Sequence, residues 1–224
     1  MAGIAPKING MLFENYKAQL QSYKVGACDY DNGYLLPPAS MMPVKLKPTL
    51  GLRSIVLSFD FEGGTPREIA LNISKVTTLM QDMPDILLPD GFSYSCVYEK
   101  QSTPEEKAPW IMRVQYTLSG YRHEPKETVT LFETGNVFVG GNYKTPAVLK
   151  IVSTADTVKV LGTTIKGAAG TVVVDGIKKK VTKDGLNKFA DTDLTSFPAL
   201  APGLNTIDID GADEVEVSFY PIFL

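Results

Sequence analysis

Phe197-Pro198-Ala199-Leu200-Ala201-Pro202-Gly203-Leu204-Asn205-Thr206-Ile207, followed by Val215-Glu216-Val217-Ser218-Phe219-Tyr220-Pro221, carries the densest structural information in the chain. Pro198 and Pro202 fix φ and hold the backbone extended, and Gly203 permits a turn. Ile207, Ile209, Val215, Val217 and Phe219 then fall at period two, so two strands turn apolar faces inward. Gly211-Ala212-Asp213 joins them. The pattern predicts a closing pair of antiparallel strands in a β-rich domain, with Phe197 inserted into its core at the approach.

Upstream, the same punctuation repeats. Period-two apolar runs bounded by Gly, Pro, Asn and Asp predict strands at about 137–139, 147–152, 157–161, 171–174 and 177–182, before the closing pair at 205–210 and 214–220. Asp175-Gly176 reads as a tight hairpin. About seven short strands in about 90 residues is the spacing of an antiparallel β-sandwich. Helical signals stop at Glu133-Thr134-Gly135-Asn136, which divides the chain into domains 1–134 and 135–224.

The first half reads as α+β. Ile55, Leu57, Phe59 and Phe61 alternate with Ser54, Val56, Ser58 and Asp60 as a strand with one apolar face. Thr65-Pro66-Arg67-Glu68 supplies an N-cap, a proline at the first helical position and a capping-box acid. Ile69, Ile73, Val76 and Met80 follow at helical spacing, predicting one amphipathic helix over 66–81. Strands at 92–98, 111–118 and 128–132 complete the half. Before Arg53, the turn signal Asp31-Asn32-Gly33 and Pro37, Pro38, Pro43 and Pro48 predict an irregular arm or wrapping segment. The chain is therefore read as mainly β: a β-sandwich-like α+β domain with one helix, then an antiparallel β-sandwich.

Composition narrows the function classes. With 224 residues, 44% hydrophobic and 21% charged, the chain is an ordinary globular protein of two modest domains. A net charge of −3 gives no general attraction to nucleic acid or to anionic lipid. No apolar run approaches the roughly 20 residues that span a bilayer, and Met1 to Met11 lacks a secretory core. Membrane insertion is not expected, and synthesis in the cytoplasm is.

No residue presents itself as catalytic, cofactor-binding or metal-binding. The single histidine, His123, precedes Glu124-Pro125 without the second histidine of a zinc helix, and reads as part of a surface turn. Gly140-Gly141 and Gly167-Ala168-Ala169-Gly170 have the wrong spacing for a phosphate or dinucleotide loop and read as turns. Asp208, Asp210, Asp213 and Glu214 lack the ligand spacing of a calcium loop. Lys178-Lys179-Lys180 reads as an exposed, edge-protecting charge set. Cys96 lies on the apolar side of Phe92, Tyr94, Cys96 and Tyr98, so a buried free thiol is expected, with a disulfide to Cys28 as the alternative.

The closing stretch resembles the C-terminal signature of phage distal tail (Dit) proteins, in which Phe-Pro-x-Leu-x-Pro-Gly-x-Asn-x-Ile precedes the final hairpin of a galectin-like sandwich. Gly135-Asn136 and Thr145-Pro146-Ala147-Val148-Leu149-Lys150-Ile151 resemble that domain's opening, and Val172-Val173-Val174-Asp175-Gly176 its middle hairpin. Arg53 to Phe61, the helix, and Phe92 to Tyr98 follow the order of the family's ring-forming belt domain. Met42-Pro43-Val44-Lys45-Leu46 stands where that family has a Pro-Gly-Arg-x-Gly-like turn. The resemblance implies a non-enzymatic structural protein without cofactor, made in the bacterial cytoplasm and built into the virion at the tail tip. It also implies a hexameric ring joining the tail tube protein to hub or receptor-binding proteins. A carbohydrate-binding module for host adhesion is the alternative, since the same fold occurs in sugar-binding proteins.

Overall fold

The computed structural model describes residues 4–31, 34–35, 44–45 and 49–224. Among the described residues the chain is mainly β with one α-helix, and it separates into a unit of residues 1–122 with Leu224 and a unit spanning His123 to Phe223.

The first unit holds strands β1 (Lys7–Ile8), β2 (Met11–Leu12), β3 (Ala18–Asp31), β4 (Tyr34–Leu35), β5 (Val44–Lys45) and β6 (Thr49–Glu62). Helix α1 (Pro66–Gln81) follows, then β7 (Asp85–Leu87), β8 (Ser93–Gln101), β9 (Glu105–Ala108) and β10 (Ile111–His123). The main sheet runs β2-β1-β7-β8-β10-β6-β3, and β9 also pairs with β10. Ile55, Leu57, Phe59 and Phe61 all point into the core, as their period-two spacing predicts, and meet Ile69, Ile73, Val76 and Met80 of α1. The capping box forms: the Thr65 hydroxyl accepts from the Glu68 amide at 3.2 Å, and the Glu68 carboxylate accepts from the Gly64 amide at 2.8 Å. On the opposite face of β6, Asp60 takes a two-pronged ion pair from Arg113 at 2.7 and 2.8 Å.

The expectation of an irregular chain before Arg53 is corrected by β3, a 14-residue strand paired with β6. Register shifts between Leu20 and Ser22, Val25 and Cys28, and Cys28 and Tyr30 explain why it was illegible. The first two shifts each put an extra residue into β3 and move its inward side to the other residue parity, and the third puts the extra residue into β6, so no single period-two pattern runs through the strand. Asn32, Gly33, Pro37, Pro38, Pro43 and Pro48 lie outside the described residues.

The second unit holds β11 (Glu127–Leu131), β12 (Gly135–Val139), β13 (Thr145–Ser153), β14 (Thr157–Val160), β15 (Thr163–Lys166) and β16 (Gly170–Asp175). It continues with β17 (Lys180–Lys183), β18 (Leu186–Asn187), β19 (Ala199–Leu200), β20 (Gly203–Ile207), β21 (Ile209–Asp210) and β22 (Glu214–Phe219). One sheet runs β11-β22-β13-β16-β17-β18, with β19 on β13; β12-β20 and β15-β14-β21 form smaller sheets. Val137, Val158, Val160 and Ile207 of the smaller sheets share one core with Leu149, Ile151, Val172, Val215 and Phe219 of the larger, which makes a sandwich.

Three sequence expectations change here. The strand at 128–132, placed in the first half, is β11, and it pairs along its length with β22 in the second unit, which begins ahead of the expected boundary at 134. The two closing strands do not pair with each other. β20 and β21 pair with β12 and β14, whereas β22 pairs with β11 and β13, so Gly211-Ala212-Asp213 carries the chain between layers. Their apolar faces oppose each other across the core instead of lying side by side, and period-two spacing is the same for both arrangements. The Asp175-Gly176 hairpin is a longer turn over 176–179, in which Asp175 accepts from the amides of Ile177 and Lys178 at 2.9 and 2.8 Å.

Candidate functional site

The residues weighed as chemical candidates are absorbed into structure. His123 is buried, not part of a surface turn: its ring packs edge-on against Tyr220 at 5.0 Å, and its Nδ1 lies 2.8 Å from the Glu124 carbonyl, which requires the proton on Nδ1. Asp213 accepts from the Thr154 amide at 2.7 Å and thereby fixes the loop after β13. Among the described residues, no three His, Cys, Asp or Glu side chains are placed to hold a metal ion. Gly141 has φ +84°, and a Cβ there would collide with the Ile222 carbonyl oxygen, so this glycine serves a close backbone approach. Cys28 and Cys96 are both free, and Cys96 is buried. No helix among the described residues is long and apolar enough to cross a membrane.

What remains are surfaces, among them two open hollows that carry aromatic side chains. In the second unit, Phe189 and Phe197 stack at 6.0 Å between centroids, with the Lys179 ammonium 5.4 Å from the Phe197 ring. Together with Thr182, Gly185 and Asn187 they line an open hollow of roughly 540 Å³. Phe197 therefore stands at the margin of the core, and the buried anchor of its segment is Leu200.

In the first unit, a larger apolar groove of roughly 640 Å³ runs along α1. Its lining comes from Pro66, Ile69, Ala70 and Ile73 on the helix side, and from Pro104, Glu106, Pro109, Trp110 and Met112 on the strand side. Trp110, the only tryptophan of the chain, is 54% exposed and has φ +69° in the turn between β9 and β10. A large non-glycine side chain held left-handed is strained, and such strain concentrates at recognition sites. The sequence signal was available, because Pro109-Trp110 between two strand patterns places an aromatic on a loop.

The two ends of β6 differ. At one end Glu62 pairs with Ile111, next to Trp110; the pairing with β10 continues only as far as Arg53 opposite Gly120. Beyond that point β6 pairs with β3, out to Thr49 opposite Asp31, and β4 and β5 pair with each other.

The sequence matches no family model and no curated protein. Its structure does have counterparts. The Dit protein of phage SPP1, described as a paradigm of the hub adsorption apparatus in phages infecting Gram-positive bacteria, superposes with a TM-score of 0.71 at 15% identity, over 98% of this chain and 99% of that one. This chain has the Dit fold. A chain of the phage P2 baseplate, in its activated conformation with Ca, gives a TM-score of 0.64 at 8% identity, over 97% of this chain and 98% of the other. The corresponding strontium structure gives 0.64 at 9% identity. The Dit fold is thus matched end to end, with both units included.

Proposed function

We propose that this protein is a structural component of a phage tail tip, forming a hexameric ring that joins the tail tube to the baseplate or to receptor-binding proteins. The observation that supports this most is the match with the SPP1 Dit protein, which covers 98% of this chain and 99% of that one. A ring built from one heterologous contact satisfies every copy identically and leaves no open ends. In this reading the first unit is the belt that closes the ring, the second is a galectin-like sandwich that projects from it, and no residue acts catalytically. The protein is made in the host cytoplasm and ends up in the virion. Carbohydrate binding has weaker support, because a shared fold does not transfer a function; the hollow beside Phe189 and Phe197 is where this reading would place a sugar ring.

Gold-labelled antibody against the chain, applied to the virions that contain it, tests the location. Label confined to the distal end of the tail is expected. Label on the head or along the tail shaft would contradict the proposal.

A further inference from the structure

We propose that the hollow beside Phe189 and Phe197 is a docking site for an acidic polypeptide segment of a partner protein. The segment lays an apolar side chain on the two rings and sets its carboxylates against Lys179 and Lys180. The inference goes beyond the ring reading above and takes from it only that other proteins surround the chain.

Charge complementarity supplies the sign of the partner. The chain has a net charge of −3, yet residues 175–188 hold five lysines against two aspartates, Asp175 and Asp184, a local balance of +3. Two of the five serve the fold: the Lys183 ammonium donates to the Gly167 carbonyl at 2.9 Å, and Lys188 pairs with Asp191 at 2.7 Å. Lys178, Lys179 and Lys180 are exposed, and the last two line the hollow, whose lining includes no carboxylate. A concave site of one sign concentrates the opposite charge and steers its approach.

Apolar surface decides the class of partner. Phe189 is exposed beside Phe197, and the chain continues outward from the hollow in two further exposed hydrophobics. Leu186, 74% exposed, stands between Gly185 and Asn187, which both line the hollow, and Ile177 precedes the lysines. Lysines that only guard a sheet edge need no such neighbours, because exposed apolar side chains invite the association that the charges repel. A saccharide, covered in hydroxyls, gains little from Leu186 and Ile177, whereas a peptide buries them under its own apolar side chains. The hollow also follows the last two strands of its sheet, where Thr182 and Asn187 are paired across β17 and β18. Their hydroxyl and amide suit the backbone of an extended segment, and the Asn187 Oδ1 accepts from the Phe189 amide at 3.0 Å, which holds the platform in place.

Fluorescence anisotropy with the full-length chain tests this, using as probe a dye-labelled peptide of sequence Asp-Glu-Phe-Glu-Leu-Asp-Glu. Saturable binding that weakens as salt is added is expected. Binding about tenfold weaker is expected for the Lys179→Glu/Lys180→Glu protein, for the Phe189→Ser protein, and for the parent with a peptide whose Phe and Leu are serine. The three substituted residues are exposed, so both variants are expected to unfold thermally like the parent. Absence of saturable binding to the parent, equal affinity for the two peptides, or indifference to the charge reversal overturns the proposal. Polygalacturonate competing as well as the peptide at equal charge overturns it too, and assigns the hollow to an anionic saccharide. If the peptide binds as expected while the antibody label lies away from the tail tip, the docking site is supported and the tail-tip reading fails. If the label lies at the tip and the peptide does not bind, the docking site fails and the tail-tip reading stands.

Discussion

Cys96 shows how far one residue could be read from its neighbours. Its place on an apolar strand face predicted a buried free thiol, and the thiol is buried, unpaired and donates to the Tyr94 carbonyl at 3.3 Å. Burial, with a smaller contribution from the charge of Asp85, pushes its pKa up to about 12. The folded state therefore holds the proton more tightly than the unfolded one. This contribution to stability is complete below the unfolded value near 9 and is lost as pH rises toward 12. A thiol reagent at neutral pH is expected to modify Cys28 and spare Cys96; rapid modification of both in native protein would contradict the burial. Phe197 reads less well, since the sequence placed it in the core and the structure puts it at the rim, stacked on Phe189. Truncating Leu200 to Ala is expected to cost about 2–5 kcal/mol, and truncating Phe197 clearly less. Urea unfolding of the two variants checks the order, and a larger loss at Phe197 would reverse the assignment.

Elements were legible wherever one face alone met the core. Helix α1 has the predicted bounds because its cap is local chemistry and its apolar stripe faces a single sheet. Strand β3 was lost because its bulges scramble residue parity, and the Trp110 groove was lost because it joins α1 to a turn distant in sequence. Strand β11 was found but assigned to the wrong half, as pairing partners far along the chain leave no trace in periodicity. That error has a measurable consequence. A fragment of residues 135–224 lacks β11 and exposes the backbone of β22 over the five residues from Val215 to Phe219 that β11 covers. Open edges of this kind aggregate. Light scattering should find the 135–224 fragment associating and a 123–224 fragment monomeric; two monomeric fragments would mean that β11 is dispensable.

At the scale of the whole molecule, the resemblance carried by residues 197–221 led to the same fold that the structure displays over nearly its full length. No family model and no curated sequence registers that likeness. Proline and glycine positions and core periodicity suffice to keep a backbone, while surface residues diverge freely, so 15% identity is compatible with a TM-score of 0.71. Subunit contacts are a different matter, since they depend on exposed side chains and on geometry between copies. The central claim is that the chain closes into a ring, and the most direct measurement is the solution mass of the purified full-length protein across a concentration series. The account predicts a discrete species with six times the mass of the 24.4 kDa chain. A mass of one or two chains at every concentration would contradict it.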